Sequence, residues 1–92
     1  MSAADTCKEF KALAASFSGG PAGMSQESRN KVTGQYADLA SKSPEALKSD
    51  TKIVADYLKV LVADGNVSEA NRLQDEYRLA ERRIGAACNA VS

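Results

Sequence analysis

The chain of 92 residues has no histidine and no tryptophan, and its aromatic side chains are three tyrosines and two phenylalanines. Nucleophilic hydrolases of the Ser-His-Asp and Cys-His kinds need a base whose pKa lies near neutrality, and histidine is the usual one. We therefore expect no hydrolytic triad, no catalytic residues and no enzyme activity. The scarcity of large rings leaves leucine, valine, isoleucine and alanine to build the core.

The sequence also lacks an excess of either charge, because 12 lysines and arginines balance 12 aspartates and glutamates. A neutral chain has no overall field to hold a polyanion, so nucleic acid is not an expected partner. No run approaches the roughly 20 apolar residues that span a bilayer, and the N-terminus lacks the basic-then-apolar order of a signal peptide. We expect a soluble chain with no transmembrane segment and with any export signal missing.

Apolar residues recur instead at helical spacing. The first predicted helix covers residues 5–17, where Thr6 and Glu9 have the spacing of a capping box. A glycine-rich loop over residues 18–24 follows, because three glycines and Pro21 interrupt any helix. The apolar stripe of the first helix consists of Cys7, Phe10, Leu13, Ala14 and Phe17.

Capping residues delimit the second and third predicted helices. Ser25 caps a helix that runs to about Ser41. The third begins at Ser43-Pro44-Glu45, where serine is the predicted cap and proline the first helical residue. It ends near Asp64, with Gly65 as its C-terminal stop.

The fourth predicted helix begins at a cap, Asn66 or Ser68, and carries apolar residues at spacings of three and four. These residues are Ala70, Leu73, Tyr77, Ala80, Ile84, Ala87 and Cys88. No segment alternates as a strand would. We therefore predict an all-α, up-down-up-down four-helix bundle that forms one domain over residues 1–92.

Two cysteines lie near opposite ends of the chain, Cys7 at the start of the first helix and Cys88 at the end of the last. In such a bundle both positions lie at the same end, so we predict a disulfide that joins the first and last helices. Two unrelated buried thiols are the alternative, whereas a zinc site is not expected because histidine ligands are lacking. Since disulfides persist in oxidising compartments, the pair favours a secreted or cell-surface protein.

The middle of the chain reads Tyr36-Ala37-Asp38-Leu39-Ala40 and then Ser43-Pro44-Glu45-Ala46-Leu47-Lys48-Ser49-Asp50, and the end carries Ala87-Cys88. Together with a cysteine that opens the first helix, this arrangement resembles small secreted or lipid-anchored helical proteins of actinobacteria. The resemblance covers most of the chain and implies an exported helical domain. Members of that group mostly have no assigned activity, so no site residues carry over.

The fourth helix carries carboxylates that could in principle act as an acid and a base. They are interleaved with arginines, which predicts a solvated, ion-paired face instead. The residues of this face are Glu69, Arg72, Asp75, Glu76, Arg78, Glu81, Arg82 and Arg83. We therefore predict no catalytic, metal-binding or cofactor-binding residues and no cofactor.

The third helix carries two apolar lines about 100 degrees apart, given the 3.6 residues of each helical turn. One line consists of Leu47, Val54, Leu58 and Leu61, and the other of Ile53, Tyr57 and Val60. So wide an apolar arc is either central in its bundle or shared with a partner. The hairpin after this helix should also project beyond the shorter first helix. The candidate interaction surface consists of Ile53, Tyr57, Val60, Leu61, Val67, Leu73 and Tyr77.

The sequence leaves three alternatives for what covers these apolar residues. They are the loop 18–24 with Met24 in the gap, a protein partner or second copy, and a small hydrophobic ligand between the helices. We predict a non-catalytic extracytoplasmic binding or interaction module that self-associates through the third helix. The alternative is a carrier of a hydrophobic small molecule such as lipid or haem. Haem would be held by a tyrosinate from Tyr36, Tyr57 or Tyr77.

Overall fold

The computed structural model describes residues 1–16 and 21–91, and most of these residues are helical. The α-helices of these ranges are α1 (Ala3–Ser16), α2 (Gln26–Lys42), α3 (Glu45–Leu58) and α4 (Val67–Val91). A 3-10 turn (Pro21–Gly23) precedes α2, and a π-helical segment (Lys59–Ala63) continues α3. No strand occurs in the described ranges, which confirms the all-α prediction. The predicted helix end at Phe17 and the loop residues 18–20 lie outside the described residues.

The four helices pack in the order in which they follow one another. α2 contacts α1 and α3, α4 contacts α3, and α1 closes the ring by contacting α4. This order, with short connections, confirms the up-down-up-down bundle. α1 contributes Phe10 and Leu13, which are half-buried against the core. The centre of the core consists of Val32, Tyr36, Ala40, Val54, Ala55, Ala80 and Ile84.

α1 begins earlier than its sequence predicts. The Ser2 hydroxyl oxygen accepts a hydrogen bond from the Asp5 amide at 3.1 Å, which is the bond that an N-cap makes. Thr6 lies inside the helix, where it is buried and its hydroxyl donates to the Ser2 carbonyl at 2.8 Å. The prediction of a capping box at Thr6 and Glu9 was wrong, because a serine one turn earlier already satisfies the first free amide.

The turn between α2 and α3 is built on buried hydroxyl groups. Ser43 is the C-terminal cap of α2, and its hydroxyl donates to the Leu39 carbonyl at 2.8 Å. The Thr51 hydroxyl on α3 donates to the Ser43 hydroxyl at 3.2 Å, so the two helices share a polar link away from water. The prediction of Ser43 as the cap of α3 was wrong by one residue. Pro44 is the N-cap, and its carbonyl accepts the first hydrogen bonds of α3.

The connection between α3 and α4 contains a widened helical turn that the sequence did not predict. In the segment Lys59–Ala63 the helix changes its hydrogen bonding, and the Asp64 amide donates to the Lys59 carbonyl at 2.9 Å. The chain then reverses at Gly65, whose φ is 64°. The Asn66 side chain accepts a hydrogen bond from the Glu69 amide at 3.1 Å. The predicted stop at Gly65 and cap at Asn66 are therefore confirmed.

Cys7 in α1 and Cys88 in α4 form a disulfide, with their Cα atoms 5.6 Å apart. This bond confirms the predicted link between the first and last helices. It joins residues 81 positions apart in the chain and fixes α1 against α4 at one end of their shared seam.

Gly65 and Gly34 allow a matched test of how the α3–α4 turn is held. Gly65 has a left-handed φ of 64°, whereas Gly34 is exposed inside α2, where an added Cβ meets no atom within 4 Å. We expect Gly65→Ala to lower the free energy of unfolding by about 1 kcal/mol and Gly34→Ala to raise it by about 0.7 kcal/mol. Urea unfolding followed by circular dichroism measures both changes. An unchanged or raised free energy of unfolding for Gly65→Ala would show that the backbone at Gly65 is not strained by a side chain.

Candidate ligand-binding site

A groove with a volume of about 590 Å³ follows the seam between α1 and α4. Small residues on both sides, Ala4 and Ala14 on α1 and Gly85 on α4, leave its floor open. Lys8 and Lys11 border it on the α1 side, and the disulfide forms part of its wall. Because α1 packs less extensively against α4 than α3 does, this seam is not filled by side chains.

A second cavity of about 300 Å³, open to solvent beside Ala14 and Glu81, lies between the four helices. It shares Phe10, Ala14 and Glu81 with the groove, so the two spaces adjoin. Two wall residues, Leu61 and Val62, come from the π-helical segment, whose wider turn brings neighbouring side chains closer to one face. The remaining wall residues are Tyr36, Val54, Leu58 and Tyr77. Every helix of the bundle therefore contributes to this wall.

Within the described part of the chain, Glu81 is the charged residue of the cavity wall. Tyr77 lies beside its carboxylate, whose charge acts on the Tyr77 hydroxyl. Glu81 as a whole is exposed, and it borders both the groove and the cavity. The carboxylate is therefore held where the apolar interior meets water.

The two tyrosines nearest to Glu81 are neutral hydrogen-bond donors. Burial, and in second place the charge of Glu81, raises the pKa of Tyr36 to about 12. Burial also raises the pKa of Tyr77 well above its usual range, and the charge of Glu81 adds to this effect. Both hydroxyls stay protonated at physiological pH. The negative charge of the site is thus that of Glu81.

Aromatic rings line the same region in two contacting pairs. Phe10 and Tyr36 meet edge to face, with ring centroids 5.9 Å apart and an angle of 82° between the planes. Tyr57 and Tyr77 are stacked, with centroids 4.1 Å apart and an angle of 15°. Phe10, Tyr36 and Tyr77 border the cavity, and each is held by a partner ring. The cavity wall therefore combines oriented aromatic rings with one carboxylate.

The seven residues of the predicted interaction surface fall into two groups. Three belong to the interior, since Tyr57 is buried and Leu61 and Tyr77 border the cavity. Val67, at the start of α4, is 58% exposed. The rest of this outer group, Ile53, Val60 and Leu73, is half-buried, and Ile53 also packs against the core. Part of the predicted interaction surface therefore belongs to the cavity. Binding of a partner by the outer group stays a prediction.

Met24 is a predicted cover for the α3–α4 hairpin, and the structure places it against the core. Its half-buried side chain packs against the core and borders a surface recess with Leu13 of α1 and Val32 of α2. Met24 therefore closes the gap between the first two helices.

Glu81 is the site residue that the sequence interpretation missed. The sequence predicts it on the solvated face of the fourth helix, and the structure shows it exposed there but also bordering the cavity. The signal was its spacing, since it follows the inward residue Tyr77 by four positions and precedes the inward residue Ile84 by three. A carboxylate at such a position lies on the apolar stripe and not opposite to it.

No cluster of three or more His, Cys, Asp or Glu side chains that could hold a metal ion occurs among residues 1–16 and 21–91. In the same ranges no helix is long and apolar enough to cross a membrane. Comparison with family models, curated proteins and solved structures gave no significant match to this chain. The function of the site therefore has to be inferred from its geometry.

Proposed function

We propose that the protein is a non-catalytic binding module that holds a small hydrophobic molecule in the cavity beside α1 and α4. The observation that carries this proposal is an apolar cavity of about 300 Å³ with its polar groups gathered at Glu81, Tyr36 and Tyr77. Ligand sites are typically concave and mostly apolar, with a few polar groups that fix the orientation of the ligand. In helical bundles such sites lie between facing helices, as this one does.

A secreted or cell-surface location is part of the proposal. The Cys7–Cys88 disulfide supports it, because such bonds persist in oxidising compartments. The resemblance to exported helical proteins of actinobacteria points the same way. The disulfide also fixes α1, which supplies one wall of the cavity. It does so without filling the seam between α1 and α4 with side chains.

Among hydrophobic ligands, a lipid-like molecule is favoured over haem. Ferric haem would take a tyrosinate ligand in this chain. Burial and Glu81 raise the pKa of Tyr36 to about 12 and raise that of Tyr77 as well, and both effects oppose ionisation of the phenol. Neutral phenols beside a carboxylate suit a ligand with an apolar body and one polar group.

Self-association through the third helix is the other function that the sequence predicts. The exposed Val67 and the half-buried Ile53, Val60 and Leu73 support it, whereas burial of Tyr57 reduces the area that this face offers. Native mass spectra over a range of protein concentrations separate the two functions. A dimer that grows with concentration favours self-association, and a monomer carrying an added mass favours the cavity.

Ala14 allows a direct test of the cavity with 1-octanol as the probe. We expect octanol to bind the wild-type protein and to shift the NMR signals of Phe10, Tyr36 and Tyr77. Ala14→Leu enlarges a side chain that borders both the groove and the cavity. We expect it to weaken octanol binding about tenfold, which corresponds to about 1.4 kcal/mol.

Ala15→Leu is the matched control, because Ala15 is the next residue of α1, is exposed and does not line either space. It should leave octanol binding unchanged. An absence of octanol-induced shifts at the cavity, or an equal loss of binding in both variants, would overturn the proposed function.

A further inference from the structure

We infer that the ligand of this cavity is a small organic cation with an apolar tail, whose ammonium group is held by the Glu81 carboxylate and the surrounding aromatic rings. The inference rests on the proposed function, because it names the chemical class of the molecule in the same cavity. Charge, aromatic lining and size each carry part of it.

The charge of the wall selects the sign of the ligand. In the described part of the chain, Glu81 is the charged residue that lines the cavity. Lys8 and Lys11 border the outer groove and do not line the cavity. The Glu81 carboxylate borders the apolar space, so a cation that enters this space forms an ion pair with it at the edge of the cavity. An anion placed there would face the carboxylate without compensation.

The rings supply the second part of an ammonium site. The faces of aromatic rings attract cations, and several rings around one site are the usual means by which proteins recognise alkylated ammonium groups. Phe10, Tyr36 and Tyr77 border the cavity together with Glu81. Edge-to-face packing on Phe10 and stacking on Tyr77 keep these rings in place when the cavity is empty. The wall is therefore organised before a ligand arrives.

The size of the cavity favours a free small amphiphile. A volume of about 300 Å³ is at the lower end of the range of small-molecule pockets. A membrane lipid with two acyl chains is far larger than this. The aliphatic part of the wall, Val54, Leu58, Leu61 and Val62, suits a short alkyl tail.

Three probes with the same alkyl chain test the inference at neutral pH: n-octylamine, 1-octanol and octanoate. Isothermal titration calorimetry on the oxidised protein should give the amine an affinity about tenfold above that of the alcohol, with octanoate the weakest. Glu81→Gln should weaken amine binding about tenfold more than it weakens alcohol binding. Glu76→Gln is the matched control, because Glu76 is exposed on the same helix and does not line the cavity.

Phe10→Leu tests the rings separately from the charge. It removes one aromatic face and keeps an apolar side chain, so amine binding should weaken about threefold more than alcohol binding does. Circular dichroism of each variant checks that the fold is intact.

The outcomes separate this inference from the proposed function. Equal affinities for the three probes, or equal effects of Glu81→Gln and Glu76→Gln, would overturn the inference while octanol binding upholds the proposed function. Tightest binding of octanoate would overturn the inference too, and would locate the head group at Lys8 and Lys11. If none of the probes binds the folded protein, the proposed function and the inference fail together.

Discussion

Replacement of Cys7 and Cys88 by serine is expected to lower the free energy of unfolding by about 4 kcal/mol. The disulfide joins residues 81 positions apart, and in the chain-entropy model a cross-link over so long a loop removes much of the freedom of the unfolded chain. A domain of this size has a total stability of about 5 to 15 kcal/mol. The loss is therefore a large part of the whole, and the melting temperature should fall by roughly 20 °C.

The effect should be largest for α1. Among the residues of α1, Thr6 is the buried one, and the apolar side chains Phe10 and Leu13 are only half-buried. α1 also packs less extensively on its neighbours than α3 does on α2 and α4. Without the bond to Cys88, α1 should detach more readily than the other helices, and the cavity would then lose the wall that contains Phe10 and Ala14.

Urea unfolding of the oxidised wild-type protein and of the double serine variant, followed by circular dichroism, measures the loss. Hydrogen exchange of amides in α1 reports its local opening. A reducing agent added to the double variant should change nothing, which separates the disulfide from other effects of the reductant. Superimposable unfolding curves for the two proteins would show that the cross-link does not stabilise the fold.

The parts of the fold that depend on neighbouring residues were predictable from the sequence. Ser25 caps α2, since its hydroxyl oxygen accepts a hydrogen bond from the Ser28 amide at 3.1 Å, and Asn66 and Gly65 mark the turn before α4. Each of these caps and turns depends on residues that lie within one helical turn of one another. The Cys7–Cys88 bond was predictable for a different reason, because an even number of antiparallel helices returns the end of the chain to its start.

Positions that depend on tertiary packing were not predictable in the same way. Ser43 and Thr6 both look like caps in the sequence, yet their hydroxyls bond to carbonyls in buried surroundings. Whether the side chain of a serine or threonine points inward depends on the helix that packs against it. A local sequence pattern does not contain this information.

The cavity illustrates the same limit. Its open space arises because Ala14 on α1 and Gly85 on α4 leave the seam unfilled, and because Leu61 and Val62 come from a π-helical turn. The sequence contains both small residues, but only the packing of α1 against α4 brings them to one seam. Glu81 could have been identified from its place on the apolar stripe, whereas the space beside it could not.

Leu47 is the core position where truncation should be most costly among the predicted apolar lines of the third helix. Its side chain is 2% exposed, and it belongs to the largest fully buried side chains of the described residues. We expect Leu47→Ala to lower the free energy of unfolding by about 3 kcal/mol, through lost apolar burial and the cavity that remains. Leucine and alanine have similar helix propensities, so the loss should come from packing and not from the helix itself.

Leu79→Ala makes the same chemical change at a surface position of α4, where the side chain is 49% exposed. It should alter the free energy of unfolding by less than about 0.5 kcal/mol. The comparison therefore isolates burial, because helix type and side-chain chemistry are the same in both variants. Urea unfolding of the oxidised proteins measures the difference. Equal losses would mean that Leu79 is covered in solution, as by a second copy of the chain, whereas two small losses would place Leu47 outside the core.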